Sequence, residues 1–399
     1  MFQYIFFFII FIFICVIFFV YITLVISSWV YRGLSAYNDD ISNDETLSLS
    51  SIMTKLVEQH GFREEVVDVS GVGVHIVIKD PSNITSEDSK DIFVFIHGTA
   101  SASVTFFDIM DQIPPNVKCV AIDVPSFGIS DTIDVEIYPS NEDMCIGYAN
   151  IIGQTLDKLG ILNNTILVGH SLGGFLSIYV AARYPIKKLV LLNPAGILPT
   201  LGVWGYYWAI VFKTGLPTTI YDLPLISRVG MKHILNTIFQ DDSLLTQLWL
   251  SIYSNPRNKG HQILQRVITL TTCRSYWNTP AFSTLIDVYK KIPTTVCFGV
   301  KDTICPSHIG SFLKLVSQGE IMIHNIYDAN HNPCVNTAKM ADILKAIFVD
   351  KDERNRNITL RESNNTANKK CCKGYSYPSF SDTQDSIQQF YKYLLTHTM

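Results

Sequence analysis

A serine set between glycines at the end of an apolar run is the residue of this chain best suited to covalent chemistry. The stretch Asn164-Thr165-Ile166-Leu167-Val168-Gly169-His170-Ser171-Leu172-Gly173-Gly174 leads into an apolar-periodic segment from Phe175 to Tyr184. That pattern reads as strand, sharp turn and helix, with Ser171 at the apex. The glycines answer a steric need, since side chains flanking so tight a turn would strike the neighbouring strand and helix. Ser171 then stands at a helix N-terminus, whose dipole favours developing negative charge.

A serine hydroxyl attacks poorly at neutral pH unless a base takes its proton. The base in turn needs an acid that fixes its tautomer and stabilises its charged form. Ten histidines are available, and His331 stands out in Asp328-Ala329-Asn330-His331-Asn332-Pro333, directly after the last strand pattern. Asp302 occupies the corresponding place after the preceding strand, in Gly299-Val300-Lys301-Asp302. Side chains at the C-terminal ends of parallel strands converge on one sheet edge. Ser171, Asp302 and His331 are therefore the candidate nucleophile, acid and base. An acyl-transfer intermediate also needs donors for its oxyanion. The N–H of Leu172 is one candidate. The N–H of Thr99, in Phe95-Ile96-His97-Gly98-Thr99-Ala100, is the other, with Gly98 allowing close approach. Such donors contribute about 3–4 kcal/mol of transition-state stabilisation. This chemistry calls for no metal and no cofactor.

The elements that must position these groups follow from periodicity. Ser51 to Gly61 reads as a short helix, and Glu64 to Asp80 as a hairpin turning at Ser70-Gly71. Strand patterns follow at Asp91–His97, Val117–Val124, Lys188–Leu192, Thr294–Val300 and Ile321–Tyr327. Helical patterns fall at Val104–Ile113, Ile146–Leu159, Ile309–Val316 and Met340–Phe348. Alternating strand and helix predicts a mostly parallel α/β sheet with helices on both faces. The rhythm breaks over residues 197–291, a stretch that reads as helical and holds Trp204, Trp208, Trp249 and Trp277. It reads as a cap over the site, or else as a plain packing layer. Trp204, Tyr207, Trp208 and Phe212 are its candidate substrate-contacting residues.

The chain resembles the α/β-hydrolase superfamily over about residues 60–350. The resemblance is carried by Ile96-His97-Gly98, Asp123-Val124-Pro125-Ser126-Phe127-Gly128-Ile129-Ser130-Asp131, Gly169 to Gly174, Asn193-Pro194-Ala195-Gly196, Asp302 and His331. The order Ser, Asp, His is that of the superfamily's triad. Ser126 stands where the family usually has glycine. Epoxide hydrolases and haloalkane dehalogenases carry an aspartate at the elbow, and Ser171 argues against both. Acyltransferase-like relatives carry Asp where this chain has Asn336. A membrane anchor before a capped serine hydrolase is similar to monoacylglycerol-lipase-like enzymes. What this resemblance implies is hydrolysis of carboxylic esters, lipid esters such as monoacylglycerols among them. An amidase, a C–C bond hydrolase, or a ligand receptor on the same fold are the alternatives.

From Phe2 to Tyr31 no charged residue occurs, and a helix needs about 20 apolar residues to cross a bilayer core. Residues 1–31 are read as an uncleaved single-pass anchor rather than a signal peptide, since no Lys or Arg precedes the run. This places the chain in the endoplasmic reticulum or another endomembrane. Residues 32–50 read as a linker, 51–196 and 292–350 as the core, and 197–291 as the helical cap. Residues 351–380 read as a disordered polar tail, and 381–399 as an amphipathic C-terminal helix. A net charge of −4 without a long basic run argues against nucleic acid. Nine cysteines, an odd and scattered set, form no disulfide framework. Cys305 and Cys334, each three residues after a triad member, are either a bridge between two loops or a pair of reduced thiols. Oligomeric state is left open.

Overall fold

In the computed structural model, residues 49–82, 91–99, 101–197, 280–302, 305–332, 334 and 337–348 are described, together with Ile17, Val20 and Tyr21. Almost all of the expected anchor, the cap from residue 198 to 279 with Trp204, Tyr207, Trp208 and Phe212, and the tail from residue 349 lie outside them. No helix among the described residues is long and apolar enough to cross a membrane.

The chain enters the sheet through a hairpin of β1 (Arg63–Val69) and β2 (Val72–Lys79). Its two-residue turn places Ser70 at φ 56° and Gly71 at φ 86°, the left-handed pair whose twist suits a hairpin. The remaining strands are β3 (Ile92–Ile96), β4 (Lys118–Ile122), β5 (Thr165–His170), β6 (Lys188–Leu192), β7 (Thr294–Gly299) and β8 (Met322–Ile326). They form one 8-stranded sheet in the order β1-β2-β4-β3-β5-β6-β7-β8. The pairs β1–β2 and β2–β4 are antiparallel, and every other pair is parallel. Because β3 lies between β4 and β5, the chain reverses its lateral direction there. Loops after β3 and β5 consequently flank a crevice at the C-terminal edge of the sheet.

Period-two alternation distributes the core between the two faces. Val94 and Ile96 of β3, Leu189 and Leu191 of β6, and Val296 and Phe298 of β7 point to one layer. Phe93 and Phe95, Val190 and Leu192, and Cys297 point to the other. The first layer is covered by α3 (Asn141–Lys158), α4 (Leu172–Arg183), α5 (Pro280–Tyr289) and α6 (His308–Val316). The second is covered by α1 (Leu49–Gln59), α2 (Phe107–Gln112) and α7 (Thr337–Phe348).

Three elements differ from the sequence reading. The helix expected over Val104–Ile113 is a 3₁₀ turn, Ser103–Phe106, followed by α2. Helix α3 starts at Asn141 rather than Ile146, because Ser140 caps it by accepting the Asp143 N–H at 3.1 Å. Helix α5, sequence-assigned to the cap, buries Ala281, Phe282, Leu285 and Val288 in the sheet core and packs on α4. It belongs to the α/β layers.

Candidate active site

Ser171 occupies the turn from β5 to α4 with φ 51° and ψ −116°, a backbone state that side chains rarely adopt. Neighbouring segments hold it there. Its N–H donates to the Leu192 carbonyl at 3.0 Å, and its own carbonyl accepts from Phe175 N at 3.1 Å and Ala195 N at 3.0 Å. Glycine at position 173 is compulsory, since a Cβ there would collide with the Ile96 carbonyl oxygen of β3. Across the crevice, a Cβ on Gly98 would lie 2.9 Å from the Ser171 Cβ, so the loop after β3 presses directly against the elbow.

His331, on the loop after β8, reaches Ser171 Oγ with Nε2 at 2.9 Å. Its Nδ1 lies 2.8 Å from Asp302 Oδ2, in the loop after β7. Asp302 also accepts the Cys305 N–H on Oδ1 at 2.9 Å and an Asn193 Nδ2–H on Oδ2. Burial alone would raise the Asp302 carboxyl, but the His331 hydrogen bond and charge, with the Cys305 and Asn193 donors, hold it below the ordinary 3.8. An ionised carboxylate only accepts, so His331 Nδ1 carries the proton and Nε2 is left to accept the Ser171 O–H. The two loops are tied together through Val300 N to Ile326 O and Lys301 N to Ala329 O, both 3.0 Å. Residues far apart in the chain are thus brought into one hydrogen-bonded line.

The oxyanion candidates flank this line. Leu172 is the first residue of α4, so its N–H has no acceptor within the helix. Thr99 follows Gly98, and the two share one peptide plane. The buried His97 ring pins that plane: its Nδ1–H donates to the Gly98 carbonyl at 2.7 Å, while Nε2 accepts the Val124 N–H at 3.0 Å. In a trans peptide the N–H points opposite the C=O, so His97 sets the direction of the Thr99 N–H. Burial lowers the His97 pKa and keeps this ring neutral.

Other residues at the site were visible in the sequence only as parts of motifs or as neighbours of the triad, without the partners that the structure gives them. His170, the variable position of the elbow motif, donates from Nε2 to the His331 carbonyl at 2.8 Å. Burial, aided by the neighbouring His331, pushes its pKa down to about 3. Asn193, at φ 45°, bridges β6 to the Asp302 loop. Ser126 holds the left-handed position, φ 69°, where glycine is usual. Its hydroxyl offsets that strain by accepting the Ile133 N–H at 2.9 Å and bonding the Tyr148 hydroxyl at 3.2 Å. The Cys305–Cys334 bridge is absent, and both thiols are free. Cys334 packs with Cys297 in the second core layer, where burial raises its pKa, whereas Cys305 lies beside Asp302.

The sequence pattern described as alpha/beta hydrolase fold matches residues 91–335, which spans every element of this site. The chain belongs to that family. Among its relatives, the uncharacterized hydrolase YugF of Bacillus subtilis is 27% identical over 230 residues, covering 56% of this chain and 77% of its own. Lipase 3 of Moraxella sp. is 24% identical over 276 residues, covering 67% of this alpha/beta hydrolase and 78% of its own length. In three dimensions the Cif epoxide hydrolase of Acinetobacter nosocomialis superposes with a TM-score of 0.53 at 16% identity, over 75% of this hydrolase and 96% of its own chain. That last likeness is one of fold.

Proposed function

We propose that this alpha/beta hydrolase is a membrane-anchored serine hydrolase cleaving carboxylic esters, with lipid esters such as monoacylglycerols as substrates. The observation that carries the reading is the unbroken line Ser171 Oγ–His331 Nε2 and His331 Nδ1–Asp302 Oδ2. Ser171 attacks the ester carbonyl as its proton passes to His331 Nε2, and Asp302 stabilises the imidazolium. The N–H groups of Leu172 and Thr99 hold the oxyanion. His331 then protonates the leaving alcohol, and a water activated by the same nitrogen releases the acid. A serine at the elbow supports an acyl intermediate rather than the aspartyl ester of epoxide hydrolases. The lipid preference is supported by the aromatic residues Trp204, Tyr207, Trp208 and Phe212, by the apolar run from Phe2 to Tyr31, and by the lipase relative. That apolar run is also the support for membrane anchoring and for an endomembrane location.

The test is labelling of the full chain in detergent by a fluorophosphonate, together with hydrolysis of glycerol esters of graded acyl length. Expected are one adduct, on Ser171, and a rate that rises with acyl length. An unlabelled Ser171 in folded protein would overturn the mechanism. A preference for short or charged esters would overturn the lipid assignment alone.

A further inference from the structure

The Cys305 thiol has no part in the relay, yet it lies against it. One ligand atom from each of Asp302, Cys305 and His331 lies within 4.8 Å of the other two, in surroundings where Asp302 and Cys305 are buried and His331 is partly open. The His331 nitrogen bonded to Asp302 is Nδ1, at 2.8 Å. The turn after β7 carries both the carboxylate and the thiol, with Cys305 N–H bonded to Asp302 Oδ1, and the loop after β8 supplies the imidazole. Carboxylate, thiolate and imidazole together form the donor set taken by zinc-class divalent ions. The buried thiol lies beside the Asp302 carboxylate, whose negative field a divalent cation complements.

We propose that Asp302, Cys305 and His331 form an inhibitory site for a zinc-class divalent cation. Its effect on activity rests on the serine-hydrolase reading, whereas the binding itself does not. On binding, the Cys305 S–H bond breaks, the proton leaves to solvent, and sulfur bonds the ion. The His331 proton moves from Nδ1 to Nε2 through solvent, so that Nδ1 also bonds the ion. An Asp302 oxygen exchanges its hydrogen bond for a metal bond. One proton is released, and the two anionic ligands match the dication. Metal–ligand bonds of about 2.0–2.3 Å put tetrahedral donor atoms about 3.5 Å apart, so the cluster closes by about an ångström at its widest. Nε2 now carries hydrogen and no longer accepts the Ser171 proton. Hydrolysis stops although the serine and the oxyanion donors are untouched.

The test uses the full chain carrying Cys371→Ser and Cys372→Ser, to remove an adjacent thiol pair, with a phosphine reductant. Cadmium chloride is titrated while the ultraviolet cadmium–thiolate charge-transfer band is followed. Zinc chloride is titrated in parallel against ester hydrolysis, each variant being normalised to its own metal-free rate. Expected is a saturable band that Cys305→Ala removes and Ser171→Ala retains. The half-inhibiting zinc concentration should rise at least about ten-fold in Cys305→Ala, since even indirect ligand partners cost that much when lost. Cys305→Ser, closer in size, serves the same comparison if the alanine variant does not fold. A band and inhibition unchanged in either variant would overturn the site. A Cys305-dependent band in a protein without ester hydrolysis would leave the site standing and remove the hydrolase reading.

Discussion

The backbone state of Ser171, φ 51° and ψ −116°, costs on the order of 1–3 kcal/mol, and three backbone hydrogen bonds from the elbow residue to neighbouring segments sustain it. The hydroxyl is thereby aimed at His331 Nε2 rather than into a rotamer ensemble. Ser171→Ala is expected to lower kcat roughly a million-fold with an unchanged melting temperature. Asp302→Asn, which keeps the shape but reverses a donor, should cost about ten-thousand-fold. Steady-state kinetics beside a melting curve check both. Gly173→Ala belongs to another class. Its Cβ meets a fixed carbonyl of β3 rather than a flexible side chain, so a stability loss of about 1–3 kcal/mol is expected from denaturant titration, together with loss of activity. A Gly173→Ala protein of native stability would mean that the elbow and β3 are less closely packed than the structure shows.

Among the elements, the loop after β3 is positioned indirectly. His97 spans from the Val124 amide to the Gly98 carbonyl and so orients the peptide whose N–H is offered to the oxyanion. His97→Ala should lower kcat by up to about a hundred-fold with little change in KM, because an oxyanion donor acts in the transition state. A change confined to KM would assign His97 to substrate binding instead. Helix α3 offers the contrasting case. Ser140 caps it remote from the chemistry, so Ser140→Ala is expected to cost about 1 kcal/mol in chemical denaturation while leaving kcat/KM alone.

For the whole molecule, buried histidines of opposite sense set the pH profile of stability. His97 and His170 are held neutral, with folded pKa values below the ordinary 6.5. Their contribution is present above pH 6.5 and is lost as pH falls below it, at about 1.4 kcal/mol per pH unit for each group. His75 behaves oppositely. Burial lowers its pKa, but Asp123 at 2.9 Å and Glu64 at 3.2 Å raise it above 6.5 overall. Its contribution is complete below pH 6.5 and is lost as pH rises through the folded value. Burial would raise the Asp123 pKa, yet His75 and backbone donors hold it down to about 2, so its contribution disappears only in strong acid. Stability should therefore peak near pH 6.5, and His75→Gln should flatten the alkaline limb of a denaturation series across pH. An alkaline limb identical in that variant would locate the titration elsewhere.

Local pattern in the amino-acid sequence determined most of the sheet. The hairpin at Ser70-Gly71, β6 at Lys188–Leu192 and the turn at Ser171 depend on alternation, on glycine and on β-branched runs, all properties of adjacent residues. The positions of Asp302 and His331 were legible for a related reason, since strand ends in a parallel sheet share one edge. Other features involve partners that local pattern does not reveal. Helix α5 falls within the range expected for the cap and packs instead on α4, whereas the Ser140 cap of α3 is itself local, reaching the amide only three residues on. The bond from His170 to the His331 carbonyl, the Asn193 bridge to Asp302, and the separation of Cys305 from Cys334 into different surroundings each join elements distant in the chain. Tertiary packing decided these, because a buried polar group takes whichever partner folding brings within hydrogen-bond distance, and spacing along the chain does not encode that partner.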